Sequence, residues 1–187
     1  MKNYIFLSYP KPFLKEQTEF IDRITDYLVQ RGYEPRTLGI TDMDEGQPLI
    51  AIQNLLSQCS GVLMVAFRRT LIKQGICKPQ SDLKQQSSMI RGEWITSPWC
   101  HIEASMASQT GLPILIFREK DVIADGILES KILNDESIEF DLTQPSDREM
   151  KSKRWRKQLE EWQEKCSIQE ERNIRYCEFT KKSRNKV

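Results

Sequence analysis

Gly61-Val62-Leu63-Met64-Val65-Ala66-Phe67 offers no polar side chain to either face of a strand. A run this short and this uniformly apolar reads as a strand buried on both sides, the kind found in parallel sheets covered by helices. Pro113-Ile114-Leu115-Ile116-Phe117 is its twin, and Tyr4-Ile5-Phe6-Leu7 opens the chain in the same manner. Between these runs the period changes. Over residues 13–30, Phe13, Phe20, Ile24, Tyr27 and Leu28 recur at helical spacing, and Gly32 stands where a C-terminal cap belongs. Residues 33–38 read as a second strand. Residues 49–56 read as a helix opened by Pro48, with Leu49, Ile52, Leu55 and Leu56 spaced for one face. Residues 138–142 supply an edge strand. A last amphipathic helix over 153–165 sets Trp155, Leu159 and Trp162 on one side, with Cys166 continuing the stripe.

Strands alternating with helices predict a doubly wound α/β domain: a flavodoxin-like parallel five-stranded sheet with right-handed crossovers and a C-terminal amphipathic helix. In such sheets ligands bind outside the carboxyl ends of the strands. The loops to search therefore follow Leu7, Leu38, Phe67 and Phe117. A length of 187 residues fits one domain, taken here as 1–167. Residues 168–187, which include Lys181-Lys182-Ser183-Arg184-Asn185-Lys186, are expected to be a basic and partly mobile C-terminal extension. The polar stretch 68–91 fits neither strand nor helix and is expected to be a long connector, a lid or a sensing surface.

Composition removes several classes of function. Lys plus Arg number 28 against 27 for Asp plus Glu, so no global positive field exists to hold a nucleic acid, and none is expected as a partner. His101 is the only histidine, which excludes zinc and iron sites that need two or more. Five cysteines without a C-x-x-C pair argue against a disulfide framework and suit a reducing, cytoplasmic setting. Apolar runs of about six residues fall far below the ~20 that cross a bilayer, so no membrane association is expected.

The stretch richest in chemistry is Trp94-Ile95-Thr96-Ser97-Pro98-Trp99-Cys100-His101-Ile102-Glu103-Ala104. Ser97 followed by Pro98 is a strong helix start, with serine as N-cap and proline at the first helical position. Glu103 then lies near the second turn, and Ala104, Ser105, Ala107 and Ser108 are small enough to bring this helix close to a sheet. An arbitrary helix glutamate is usually solvated. One between apolar neighbours at a sheet's ligand-binding edge is a candidate electrostatic group. Cys100 and His101 do not make a nucleophile pair, because adjacent helix residues point about 100° apart.

These residues resemble a TIR domain of the bacterial, NAD-processing kind, over roughly residues 4–142. Ile5-Phe6-Leu7-Ser8-Tyr9 is similar to that family's first strand with its terminal serine. Ser97-Pro98-Trp99-Cys100 followed by Glu103 resembles the helix start that carries its catalytic glutamate, and Gly111-Leu112-Pro113-Ile114 resembles the turn into its next strand. Residues 39–48, with Asp42, Asp44 and Gly46, stand where the family has a mobile loop. The resemblance implies an NAD glycohydrolase or ADP-ribosyl cyclase with Glu103 as catalytic residue, NAD as substrate and no cofactor. Ser8, Tyr9, Arg36, Trp94 and Trp99 are the substrate-binding candidates, and Arg68 and Arg69 also lie near strand ends where a pyrophosphate could be held.

The chemistry is consistent with one carboxylate. Nicotinamide leaves as a neutral base, so no general acid is needed, and a negative group near the ribose stabilises the cation that grows there. A stand-alone TIR of the Thoeris antiphage-defence kind implies a cyclic ADP-ribose-type product that diffuses to a separate effector, together with TIR–TIR self-association. The alternatives are a nucleoside deoxyribosyltransferase-like enzyme, a non-catalytic TIR scaffold acting by self-assembly, and a flavodoxin-like response domain. The last is disfavoured because no Asp occurs in Ser8-Tyr9-Pro10 after the first strand.

Overall fold

The computed structural model describes residues 3–42, 46–129, 137–143 and 152–184. Its centre is a five-stranded, all-parallel sheet of β1 (Asn3–Ser8), β2 (Tyr33–Arg36), β3 (Cys59–Ala66), β8 (Ile114–Glu119) and β9 (Ile138–Phe140), in the spatial order β2-β1-β3-β8-β9. Helices α1 (Lys15–Gln30), α2 (Pro48–Leu56), α3 (Pro98–Gln109) and α4 (Lys153–Arg184) cover it. This is the expected flavodoxin-like, doubly wound fold with a C-terminal helix.

The strand alternation distributes the core. Ile5, Leu7, Leu63, Val65, Leu115 and Phe117 face α1 and α4, meeting Phe20, Ile24, Leu28, Trp155, Leu159 and Trp162. Their neighbours Phe6, Val62, Met64, Ile114 and Ile116 face the other way, onto Ile52 and Leu55 of α2 and Cys100, Ala104 and Ala107 of α3. Phe20 stacks on Phe140 and Phe117 on Trp155, each pair with ring centroids 4.2 Å apart, which joins both helices to the sheet. Gly61 permits the close approach of α4, because a Cβ there would run into Cys166 Sγ. Gly32 follows α1 with φ of +82°, as its capping position requires.

Two expectations are corrected. Residues 68–91 are not an irregular connector. β4 (Thr70–Ile72) pairs antiparallel with β7 (Glu93–Ile95), and β5 (Gly75–Cys77) with β6 (Ser88–Ile90). Both pairings keep one register, so the stretch is a two-stranded ribbon interrupted near Lys73, Gln74, Arg91 and Gly92. Its apolar residues are scattered among lysines and glutamines, so no periodic signal announces it. The boundary at 167/168 falls inside α4, which runs unbroken to Arg184. Glu170 of that helix accepts from Asn3 Nδ2 at 2.7 Å, a contact between α4 and the start of β1. The edge strand spans Ile138–Phe140, two residues shorter than expected. Asn185, Lys186 and Asp44 lie outside the described residues, and no described helix is long and apolar enough to cross a membrane.

Candidate active site

β1 and β3 are neighbours at the centre of the sheet, with β2 on the far side of β1. The chain reverses its direction of winding there, and the divergence of the flanking loops leaves a crevice. A cavity of about 690 Å³ lies at this point. Tyr9, Lys11 and Phe13 line it from the loop after β1, Leu38 and Gly39 from the loop after β2, and Arg69 from the segment after β3. Ser97, Trp99 and Glu103 close it from α3, and Pro48 from the start of α2.

Ser8 is the last residue of β1 and 1% exposed. Its hydroxyl donates to Glu103 Oε2 at 2.5 Å. The helix carrying Glu103 is aimed by its cap: Ser97 Oγ accepts from the Trp99 amide at 3.3 Å, and Pro98 occupies the first turn. Cys100, Ala104 and Ala107 press the same helix onto the sheet, which brings Glu103 to the strand end. Burial pushes the Glu103 carboxyl above the usual range, and the Ser8 hydroxyl opposes that rise. Glu103 Oε1 has no hydrogen-bond partner among the described residues. Among the described residues lining the cavity, Glu103 is the one acid.

Beneath this pair, burial raises the Cys100 thiol to about 12, with the Glu103 charge adding to the effect, so the sulfur stays protonated and inert. His101 faces Asp125 at 3.8 Å, away from the cavity lining, so the two adjacent residues do not cooperate.

The other candidates divide. Tyr9 and Trp99 line the cavity, Tyr9 with its hydroxyl raised by burial and Trp99 45% exposed at the mouth. Arg36 does not reach it. Its guanidinium is engaged by Asp42 and by Gln58 Oε1 at 3.1 Å, and lies over the Tyr4 ring at 4.8 Å, beside a separate small cavity. There it closes the turn after β2 and holds the Asp42 carboxyl below its ordinary range. Trp94 is likewise outside the lining. It pairs with Leu71 in the ribbon, donates its amide to Asp121 O at 2.9 Å and packs against the core. Strand-end position alone could not separate these cases, because the ribbon that occupies Trp94 is a long-range pairing. Lys11 and Phe13 were missed. Between Pro10 and Pro12 in the sequence, Lys11 reads as punctuation.

A buried network supports the rim. Gln17 is fully buried; its Oε1 accepts from the amides of Phe13 at 3.1 Å and Leu14 at 3.4 Å. Its Nε2 donates to Arg68 O at 3.4 Å and to Glu119 Oε2 at 3.3 Å. Glu119, 2% exposed, also accepts from the Arg68 amide at 2.9 Å. One side-chain amide thus ties the loops after β1 and β3 to the end of β8.

The chain matches no protein-family model and no curated protein. A solved structure it is similar to is the CMP N-glycosidase BcmB of Clostridium botulinum, at 13% identity and a TM-score of 0.46, covering 74% of this chain and 88% of that one. So distant a likeness carries no argument about substrate or mechanism.

Proposed function

We propose that this chain is an enzyme that breaks the bond between a sugar's anomeric carbon and a nitrogen base, with Glu103 as the group that meets the sugar and NAD as the substrate. The observation that carries the reading is the Ser8–Glu103 pair: a lone carboxylate, half-buried, held by a strand-end hydroxyl in a cavity at the sheet's switch point. Two properties of that carboxylate suit the reaction. Removal from bulk water strengthens its interaction with positive charge developing on a ribose, and the Ser8 hydrogen bond favours the ionised form while fixing its direction. With nicotinamide as a neutral leaving group, the absence of a second acid among the described lining residues is no handicap.

The choice of NAD rests on the resemblance of Ser97-Pro98-Trp99-Cys100 and Glu103 to the TIR helix start. On that resemblance the product is a cyclic ADP-ribose-type signal acting on a separate effector in antiphage defence, and copies of the chain associate to complete activity. Incubation with NAD followed by mass spectrometry tests this. Release of nicotinamide by the wild type, lost by at least a hundredfold in Glu103→Gln, is the expected result; equal turnover by both proteins refutes it.

A second reading, a nucleoside deoxyribosyltransferase-like enzyme, draws on the free Oε1 of Glu103. An unpartnered carboxylate oxygen in a cavity can attack an anomeric carbon directly, displace the base and pass the sugar to another base. Base exchange on deoxynucleosides, with no turnover of NAD, selects it.

A further inference from the structure

We propose that Lys11 and Arg69 form a phosphate subsite, so that the cavity takes a phosphorylated nucleotide in preference to a bare nucleoside. This deepens the glycosidic-bond reading above and rests on it for the sugar, but not for the anion. Arg36, Arg68 and Arg69 stand near strand ends on this side of the sheet, and the fold gives them different work. Arg36 is neutralised by Asp42. Arg68 is spent on Asp121 at 2.7 Å, on Glu119 at 3.7 Å and on Lys120 O at 2.7 Å. Arg69 has no carboxylate partner among the described residues; its one side-chain hydrogen bond is Nη1 to Ser97 Oγ at 3.0 Å. Lys11 makes no hydrogen bond or ion pair among the described residues. Both uncompensated cations line the same cavity as Glu103.

Their placement suits one ligand. Ser97 precedes Glu103 by six positions on α3, which at the rise of a helix is about 9 Å along its axis. Arg69, bonded to the cap of the helix that carries Glu103, sets its charge on the same cavity as the carboxylate, with most of its donor fork unused. Lys11 lines the cavity from a different segment, the loop that follows Ser8. A ribose over Glu103 with its base beside the exposed Trp99 would turn its 5′ substituent toward these cations. A nucleoside would leave both without a counter-charge, whereas a mono- or diphosphate pairs with them. Arginine offers a bidentate fork to phosphate and lysine a mobile point charge.

The test separates the anion from the chemistry. ADP-ribose is titrated calorimetrically into the Glu103→Gln protein, and AMP and adenosine into the wild type in case that variant fails to fold. ADP-ribose should bind, weakening at least tenfold with Lys11→Met or Arg69→Met and weakening with added salt, and AMP should bind at least tenfold tighter than adenosine. Where turnover is seen, the ratio of kcat/KM for NAD over nicotinamide riboside should fall at least tenfold in each variant. No binding of ADP-ribose or AMP, equal affinity for AMP and adenosine, or affinity indifferent to both substitutions overturns the subsite, whatever the turnover. Cation-dependent binding without cleavage of any nucleotide sustains it and refutes the glycosidic-bond reading instead.

Discussion

Ser8 and Glu103, separated by 95 positions, meet through a 2.5 Å hydrogen bond at the carboxyl end of β1. The contact joins the first strand to the second turn of α3, so it exists only once the sheet and its crossover helix are assembled. It also sets two opposed influences on one carboxyl: burial raises its affinity for a proton and the serine lowers it.

Removing the serine hydroxyl should therefore expose the effect of burial. Ser8→Ala should move the acid limb of kcat/KM to higher pH, because the influence that lowers the Glu103 pKa is gone. Activity at pH 7 should fall about 10- to 100-fold, the equivalent of a hydrogen bond to a charged group at about 1.5–3 kcal/mol. A pH–rate profile of both proteins checks the shift, and coincident acid limbs would refute the assignment.

Glu103 should lower the stability of the fold it serves. Its folded pKa lies above the ordinary value, so the native state holds the proton more tightly than the unfolded chain does. Stability then declines as pH rises from the unfolded value through the folded one. Glu103→Gln removes that penalty while keeping shape, and its Tm at pH 7 should exceed the wild type's, with the gap closing near pH 4. Scanning calorimetry at the two pH values decides it.

Gln17 should be costly to replace. Gln17→Leu strips partners from two backbone amides and from the buried Glu119 carboxylate, and a loss of about 2–4 kcal/mol is expected from unsatisfied buried groups. Gln17→Glu should be worse near neutral pH, since it sets a second carboxylate against Glu119. Urea midpoints of the two variants test the order.

Gly61→Ala should destabilise by about 1–3 kcal/mol through overpacking against Cys166. Pairing it with Cys166→Ala should recover part of the loss, because the added methyl fills the volume the sulfur vacates. A double-mutant cycle read by denaturant unfolding measures the coupling, and strict additivity would show that the two positions do not meet.

The core strands were legible because both faces of a central parallel strand are buried, so no polar residue interrupts Val62-Leu63-Met64-Val65-Ala66. The start of α3 was legible because a serine N-cap and a first-turn proline are local signals. The ribbon over Thr70–Ile72 and Glu93–Ile95 was not, since its strands are three residues long and find each other only across a gap in sequence. The continuation of α4 past Cys166 was hidden too. Its apolar stripe ends there, and with it the periodic signal.

By itself the amino-acid order determined the alternation of buried strands and amphipathic helices, and hence the layered α/β sheet, because burial dictates residue type with period two or 3.6. It also singled out Glu103 as a glutamate near a capped helix start. Only the tertiary structure decided which charges remain uncompensated. Arg36, Arg68 and Arg69 look alike along the chain, yet Asp42 takes the first, Glu119 and Asp121 the second, and the third is left facing the cavity. Ion pairing depends on distances of a few ångströms between segments far apart in sequence, and those distances are set by packing.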